Sequence, residues 1–514
     1  MFFLKMPGIH VVLCGTDAKV RRGEPGGVVI GEKKFFRYVL RFAAEPQTTS
    51  AGGNSVRRTP TKLRSGVQRT LVGILLLVLT ATTAAVSQTS PGRSQQTQNL
   101  PNPLTLSQAI TIALTNSSVL RTAQAHLDQA SGRYAQSRSL LLPQVDVGGY
   151  QAYMTMNLRG VGIDIPTVSQ GVQGPFGSMD VRAKLSQDLL NIANMQAWKS
   201  SRSREDSSRL QVENAREVVV LNVVAAYLQV LRAKASRDAL AEQTKLADDL
   251  YQLTQHRVKE GVSANLESIR AMEQVNSLEQ QREEAEQTFI AAKLNLANVL
   301  QVHITSDFEV EDTAAYGTET TVDRNGAVQA ALAARPDYRA AQAGVKAAEL
   351  QVKSVKATRY PVLGTGFTDG QSGDSPVHNQ NVYRVAGTLY IPIFTSGRIR
   401  GQIEEAQGSL HEAQASADQL RSQIETDVLT AVAGVEWARK QVETSAANVQ
   451  LSREEVKLSS QRFTQGVTDN TEVVNAQDRV SKADDARVRA LYTLGLARAN
   501  LARATGAAEK TYRK

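Results

Sequence analysis

The chain contains two copies of one pattern, and this duplication constrains its fold more than any other feature. Residues 109–148 recur as residues 327–366, and residues 256–301 recur as residues 461–506, in both cases without a gap. The matches include glycine, proline and asparagine positions, which chance similarity between alanine-rich helices does not explain. The sequence is therefore interpreted as a tandem duplication whose two halves fold in the same order.

Each half begins with a predicted helix that ends at a proline. The helices cover residues 105–142 and 324–360, and they stop at Pro143 and Pro361. Proline lacks a backbone N–H and biases the preceding residue toward extended geometry, so both positions favour a change from helix to strand.

Two strands are predicted after each of these helices. Apolar and charged residues alternate, as expected for strands that separate an apolar side from a wet side. The predicted strands cover residues 144–158, 179–185, 362–369 and 383–393. Glycine-, proline- and serine-rich segments predict loops over residues 159–178 and 370–381. The alternation slips near Gly148 and Gly149, which predicts a bulge there.

Very long proline-free helices follow the strands, over about residues 191–260 and 396–465. A helix of ~70 residues spans roughly 105 Å, more than the thickness of an ordinary domain. Each helix is predicted to stop at a glycine, Gly261 or Gly466, from which a second helix returns. The returning helix of the first half, over about residues 264–302, meets a polar break before the next half begins.

The N-terminal segment has the layout of a secretory signal peptide. A basic stretch precedes the apolar run Leu71–Leu79, and small residues such as Ala85 and Ser87 follow. Cleavage is expected after Ala85 or Ser87, and a truncated membrane anchor is the alternative interpretation. Residues 1–56 suggest that the translation start was assigned too far upstream.

The net charge of +9 lies wholly in residues 1–87, which hold 13 basic and 4 acidic residues. Nucleic-acid binding by the remaining, balanced chain is therefore not expected.

Several segments together resemble the TolC family of bacterial outer membrane efflux proteins. They are LTLSQAITIALTNSSVLR, LLLPQVDVGG, RYPVLGTG, LYIPIFTSGRIRGQI, RVKEGVSANLESIRAMEQV and RFTQGVTDNTEVVNAQDRV. The resemblance covers nearly all of residues 100–507 and implies a mainly α fold with a β-barrel part. It implies a homotrimer in which each protomer contributes four strands to one 12-stranded transmembrane barrel and long helical hairpins to a periplasmic tunnel.

The same resemblance implies the function and the partners. We expect the outer membrane duct of a tripartite efflux or type I secretion system, in contact with lipid, a periplasmic adaptor and an inner-membrane transporter. A non-channel coiled-coil protein of the cell envelope is the alternative, and the strands argue against it. Two departures from the family pattern are Asp188, where a proline is common, and Thr468, where the best-known member has a basic residue.

The candidate site residues form three groups. The turns expected to dock the adaptor contain Gly261, Val262, Gly466 and Val467. The resemblance suggests Glu472, Asn475, Phe463 and Glu267 for the periplasmic entrance, although a solvated helix face or helix packing is the plain alternative for each. The charges expected in the barrel lumen are Asp180, Arg182, Lys184 and Arg384.

Catalysis finds little support in the sequence. The six histidines form no metal-ligand spacing, and no P-loop or GxSxG motif is present. We therefore expect no catalytic, cofactor-binding or metal residue, and no enzyme. The expected organisation is a leader (1–87), a linker (88–104), two repeats (105–322 and 323–507) and a C-terminal tail (508–514).

Overall fold

The computed structural model describes residues 101–158, 162, 172–302, 308–311 and 324–513, without the side chain of residue 325. The predicted signal peptide and its cleavage site lie outside these residues. The first half contains α1 (Leu106–Asn116), α2 (Ser118–Ser139), β1 (Gln144–Asn157), β2 (Val172–Leu190), α3 (Ile192–Lys259) and α4 (Asn265–Leu300). The second half contains α5 (Arg324–Ala334), α6 (Pro336–Ala357), β3 (Val362–Gly373), β4 (Asn379–Tyr390), α7 (Arg398–Thr464) and α8 (Asn470–Ala504), and a short helix α9 (Ala508–Tyr512) ends the chain.

The two helices predicted before the strands are each divided in two. Between α1 and α2, Ser117 leaves helical geometry, and its hydroxyl accepts a hydrogen bond from the amide of Leu120. Between α5 and α6, Pro336 stands at the first helical position and Arg335 is extended. Both breaks therefore begin a new helix in the usual way, with a capping serine or an N-terminal proline.

The long helices have nearly the predicted bounds, and α3 carries the main core. Its buried side chains include Val220, Val223, Val224 and Tyr227, each with no exposed surface. They pack with α1, α4, α9 and the segment around Val310. This helix is also long and apolar enough to cross a membrane, but 56% of its apolar window is buried inside the protein. The window is thus explained by helix packing.

The strands form one antiparallel sheet in the order β1-β2-β3-β4. β1 has nearly the predicted bounds, whereas β2 and β3 are longer than predicted and β4 is shifted toward the N-terminus. β2 therefore extends into the predicted loop 159–178, and β3 and β4 extend into the predicted loop 370–381. The bulge predicted near Gly148 and Gly149 is wrong: register is continuous there and shifts at Met154/Met156 and at Asp188/Leu190. Gly149 instead permits close approach between strands, because a Cβ there would lie 2.8 Å from Val181 Cγ2.

Among the described residues, the packing order leaves two sides of the chain without a neighbouring helix. Near the sheet the helices lie in the order α2, α3, α6, α7, and near the hairpin turns in the order α4, α3, α8, α7. Hence α2 and α4 are outermost on one side and α7 is outermost on the other. The edge strands of the sheet lie next in the chain to these outermost helices. β1 follows α2 and β4 precedes α7, and each of these two strands has one neighbour among the described strands.

The C-terminal tail, residues 508–514 in the sequence analysis, packs against the helical core through α9. Ala508 and Tyr512 of α9 are buried. The carboxylate of Glu217 on α3 accepts hydrogen bonds from the backbone amides of Ala508, at 2.7 Å, and Glu509, at 3.3 Å. A carboxylate at the first amides of a helix satisfies unpaired donors and suits the helix dipole.

Candidate functional site

One face of the sheet carries all four charges that were predicted for the lumen. In antiparallel pairs, directly opposed residues share a face. One row across the four strands is Asp146, Lys184, Thr368 and Arg384. The next row places Arg182 between Gly148 and Gly370, and the row after it contains Asp180. Asp180 and Arg182 form an ion pair on this face.

Glycine beside Arg182 allows the neighbouring strand to approach. A Cβ at Gly370 would lie 2.6 Å from Arg182 Cα and 2.1 Å from the Val181 carbonyl oxygen. Any side chain at this position would therefore displace the strand that carries Arg182 and Asp180. The sequence analysis predicted a loop over residues 370–381, so it did not predict that Gly370 lies within β3.

The opposite face of the sheet is apolar and uncovered. Its most apolar row across the four strands contains Val145, Leu185, Phe367 and Val385. Val145 and Val385 are 68% and 69% exposed, and Leu389, on the same face, is 64% exposed. Ile391, which lies within the predicted strand 383–393, is just past the end of β4 and is also exposed. An exposed apolar sheet face of this kind needs an apolar environment.

The two hairpin turns have the same backbone geometry. Gly261 and Gly466 have φ angles of +76° and +71°. Their amides bond to the carbonyls of Val258 and Phe463, and the amides of the next residues bond to those of Arg257 and Arg462. These paired bonds are the Schellman termination of a helix, which requires left-handed geometry at the glycine. Both turns then present a valine, Val262 or Val467, that is 64% exposed.

Three side-chain contacts join the two hairpins next to these turns. Arg257 Nη1 donates to the carbonyl oxygen of Phe463 at 2.8 Å, and its guanidinium carbon lies 4.6 Å from the Phe463 ring centroid. Asn470 Nδ2 donates to the carbonyl oxygen of Glu267 at 2.7 Å, and Arg270 Nη1 donates to Thr471 Oγ1 at 3.0 Å. Sequence reasoning did not select Arg257, Arg270 or Asn470 as functional residues.

The four entrance candidates occupy different environments. Phe463 is 2% exposed and packs with Leu250 and Val473, so its ring serves helix packing. The backbone of Glu267 is engaged by Asn470, as described above. Glu472 Oε1 lies 3.5 Å from Arg462 Nε, and its side chain is 38% exposed. Asn475 is exposed. Glu472 and Asn475 are thus the two candidates with side chains open to solvent.

A group of buried charges lies near α9, far along the chain from the turns. The hydrogen bond from Arg216 holds the pKa of the Glu509 carboxyl below its ordinary value. Burial raises the pKa of Glu217, although two backbone N–H groups oppose this. Burial would also raise the pKa of Asp337, but the hydrogen bond and charge of Arg335 lower it below its ordinary value.

Among the described residues, no group of three or more histidine, cysteine, aspartate or glutamate side chains could hold a metal ion. The geometry of this part of the chain is that of a sheet with one charged and one apolar face, joined to paired helical hairpins. It suits a wall between lipid and water.

Comparison with known proteins agrees with this geometry. A family model described as "Outer membrane efflux protein" matches residues 109–300 and 327–507. The pyoverdine export outer membrane protein OpmQ of Pseudomonas putida is 26% identical over 394 residues, which are 75% of this chain and 82% of that protein. Protein CyaE of Bordetella pertussis is 24% identical over 408 residues, 77% of this chain and 84% of that protein.

A solved structure shares the fold. The CmeC outer membrane channel of Campylobacter jejuni superposes with a TM-score of 0.68 at 18% sequence identity. The similarity covers 80% of this chain and 86% of that chain.

Proposed function

The chain belongs to the outer membrane efflux protein family, and on that premise we propose that it forms a homotrimeric duct for passive export. It is an outer membrane efflux channel with its helical part in the periplasm. The observation that carries the proposal is the four-stranded open sheet with one charged and one apolar face. The alternative, a coiled-coil protein without a pore, does not account for a sheet with these two faces.

The trimer follows from the physics of strand edges in lipid. Within lipid, every backbone N–H and C=O must find a partner in the protein. One protomer leaves the outer edges of β1 and β4 without a strand neighbour among those described. Three protomers joined β1 to β4 would give twelve strands, enough for a closed barrel with a water-filled lumen. Asp180, Arg182, Lys184 and Arg384 would then line the lumen.

Exposed apolar side chains on α4 and α7 would form a second contact between neighbouring copies in the trimer. On α4, Ile269 is 57% exposed, and on α7, Leu458 is 51% exposed. Helical periodicity places each of them opposite the buried stripe of its own helix. Ile269 is the fifth residue of α4 and Leu458 is the seventh residue from the end of α7, so at ~1.5 Å per residue they stand at a similar height above the turns. Closing β1 against β4 would also bring α4 of one copy beside α7 of the next, with Ile269 against Leu458.

The hairpin turns are the proposed docking points for a periplasmic adaptor. Val262 and Val467 are exposed apolar side chains at two turns of the same backbone geometry, and a trimer would present six such turns. Exposed apolar side chains grouped in this way are typical of interaction sites. The adaptor would connect the duct to an inner-membrane transporter. Glu472 and Asn475 would border the periplasmic entrance of the tunnel, close to the turns.

Passive export through a duct requires no catalytic reaction by the channel protein. Family members are channel proteins, and we propose that this chain likewise has no enzymatic activity or cofactor. One relative is named for pyoverdine export, so small secreted molecules are a reasonable first class of cargo to test. Selection among cargoes would rest with the transporter and adaptor.

Cysteine cross-linking tests the arrangement directly. The chain has one cysteine, Cys14, in the predicted leader, so the mature protein offers no background. A variant with Ile269→Cys and Leu458→Cys should form covalent trimers on mild oxidation, and planar-bilayer recordings should show discrete conductance steps. Each single-cysteine variant is the control and should remain monomeric on a denaturing gel. Absence of both cross-linked trimers and conductance would favour the coiled-coil alternative.

A further inference from the structure

A groove of about 310 Å³ between α2 and α3 carries positive charge. Arg133 and His126 of α2 and Arg204 of α3 contribute to its wall, and no carboxylate is among the described residues that line it. These three side chains are exposed, so a molecule that enters the groove can contact them directly. A space of this size suits a small molecule.

Two hydrogen bonds fix the level of one wall of the groove against the other. Ser137 Oγ of α2 lies 2.7 Å from Ser201 Oγ of α3, and Ser131 Oγ of α2 donates to Glu205 Oε1 of α3 at 3.0 Å. On each helix, the arginine that lines the groove lies between the two bonded positions. Packed helices are about 8–10 Å apart, a distance that two arginine side chains span together. One small anion is therefore within reach of both guanidinium groups.

The charges of these two arginines are not neutralised within the described part of the chain. Neither Arg133 nor Arg204 has an ion-pair partner there. The carboxylate next to Arg204 in the sequence, Glu205, accepts the hydrogen bond from Ser131 and lies 3.9 Å from Arg209. Two guanidinium groups of like charge thus line one groove, and a bound anion would remove their repulsion.

The remainder of the wall is almost entirely polar. Ser201 and Ser208 contribute hydroxyl groups, and Gln129 and Gln211 contribute side-chain amides. Ala130 is the one apolar side chain among the described residues of the wall. The groove therefore suits a ligand that carries hydrogen-bonding groups and little apolar surface.

A phosphate monoester has the charge and the geometry that this groove requires. It carries close to two negative charges at neutral pH and three strong acceptor oxygens, whereas a single carboxylate would neutralise only one of the two arginines. Guanidinium groups bind phosphate oxygens in a bidentate manner.

We propose that the groove between α2 and α3 is a binding site for a phosphate monoester, whose phosphate contacts Arg133 and Arg204 while its polar remainder contacts the serines and glutamines of the wall. The site is separate from the faces of the sheet and from the hairpin turns. It does not depend on the proposed export function.

Isothermal titration calorimetry of the purified protein in phosphatidylcholine nanodiscs tests the site. The titrant is glucose 6-phosphate, and glucose is the matched neutral sugar. Glucose 6-phosphate should bind at least about tenfold more tightly than glucose, because charge-assisted hydrogen bonds are stronger than neutral ones. Phosphatidic acid carries the same phosphate monoester on a lipid. Its addition to the nanodiscs should weaken glucose 6-phosphate binding if a lipid headgroup supplies the phosphate, and should leave it unchanged if a soluble ester does.

Variants separate the two arginines from the general charge of the region. Arg133→Gln and Arg204→Gln should each weaken glucose 6-phosphate binding about tenfold, as expected for the loss of hydrogen bonds to a charged group. Arg202→Gln removes the same charge at an exposed position of α3 outside the wall. This variant is the control and should bind like the wild type.

A further variant places a negative charge in the groove. Ser208→Glu should abolish glucose 6-phosphate binding through repulsion. Equal affinities for glucose and glucose 6-phosphate in the wild-type protein would overturn the proposal. An equal loss of binding in Arg202→Gln and Arg204→Gln would also overturn it, because the attraction would then come from overall charge.

Discussion

The side-chain amide of Asn470 donates a 2.7 Å hydrogen bond to the backbone carbonyl oxygen of Glu267, and this bond joins the first turns of α8 and α4. Asn470 has no exposed surface. It is the repeat equivalent of Asn265, yet only the second copy reaches across to the other hairpin. Together with the contact between Arg257 and Phe463, it fixes the spacing between the two hairpins at the proposed entrance.

Loss of this bond should loosen the entrance. Asn470→Ala would remove this bond at a net cost of about 0.5–1.5 kcal/mol, because the Glu267 carbonyl keeps its helical donor. We expect more frequent opening in single-channel recordings and a lower unfolding temperature of the helical part. Asn500→Ala, at an exposed position on the same helix but far from the entrance, is the control and should change neither. An Asn470→Ala channel with wild-type opening would show that this bond does not hold the entrance.

The turn glycines should tolerate asparagine better than valine. In the described part of the chain, no atom lies within 4 Å of a Cβ built at Gly261 or Gly466, so the constraint there is the positive φ. Left-handed geometry costs an ordinary residue roughly 1–2 kcal/mol, and asparagine adopts it most readily. Gly466→Val should impair efflux with trimer levels preserved, while Gly466→Asn should retain most efflux. Normal efflux in both Gly466→Val and Gly261→Val would remove the argument for adaptor docking at the turns.

The two faces of the sheet should respond differently to charge. Leu389 lies on the apolar face and Lys184 on the charged face. Leu389→Arg should destabilise the barrel by about 2–4 kcal/mol if the residue lies near the bilayer midplane. Lys184→Ala should leave trimers intact. Trimer yield and the temperature at which trimers dissociate on a gel measure both effects, and the reverse result would mean that the lipid and lumen faces are interchanged.

Acid should weaken the attachment of α9. The pKa of Glu509 is lowered in the folded protein by Arg216. Its contribution to stability is therefore present above the ordinary pKa of a glutamate and is lost as pH falls through the lower folded value. Glu509→Gln should lower the free energy of unfolding by about 1–2 kcal/mol at neutral pH. The difference from wild type should shrink on acidification in thermal unfolding experiments. A difference that persists below the folded pKa would contradict the ion pair as its cause.

The repeated features of the chain were predictable because each depends on local sequence. Proline, glycine and residue alternation predicted the helix ends, the two turns and the faces of the strands. The contacts of Arg257 and Asn470 were not predictable, because they depend on how two hairpins about two hundred residues apart pack together. The break at Ser117 was missed, although serine is a usual N-cap residue, because the apolar pattern continues through it and neither proline nor glycine marks the position. Gly149 was misread because close approach of strands and a bulge both favour glycine.

The proposed entrance should select cations through Glu472. A trimer would place three copies of this carboxylate around one axis, and acidic rings favour cations and repel anions. Within one chain, Arg462 Nε lies 3.5 Å from Glu472 Oε1 and would offset part of the charge of that carboxylate, while the exposed Asn475 adds none. Glu472→Gln should lower cation selectivity and weaken block by a trivalent cation several-fold, in keeping with ~1 kcal/mol for a solvated charge pair at close range. Arg462→Gln should act in the opposite direction. Glu267→Gln is the control and should have a smaller effect, because its side chain is only partly exposed and one of its carboxylate oxygens is buried. Unchanged selectivity and block in both Glu472→Gln and Arg462→Gln would show that the Glu472 carboxylates face outward, where salt screens them.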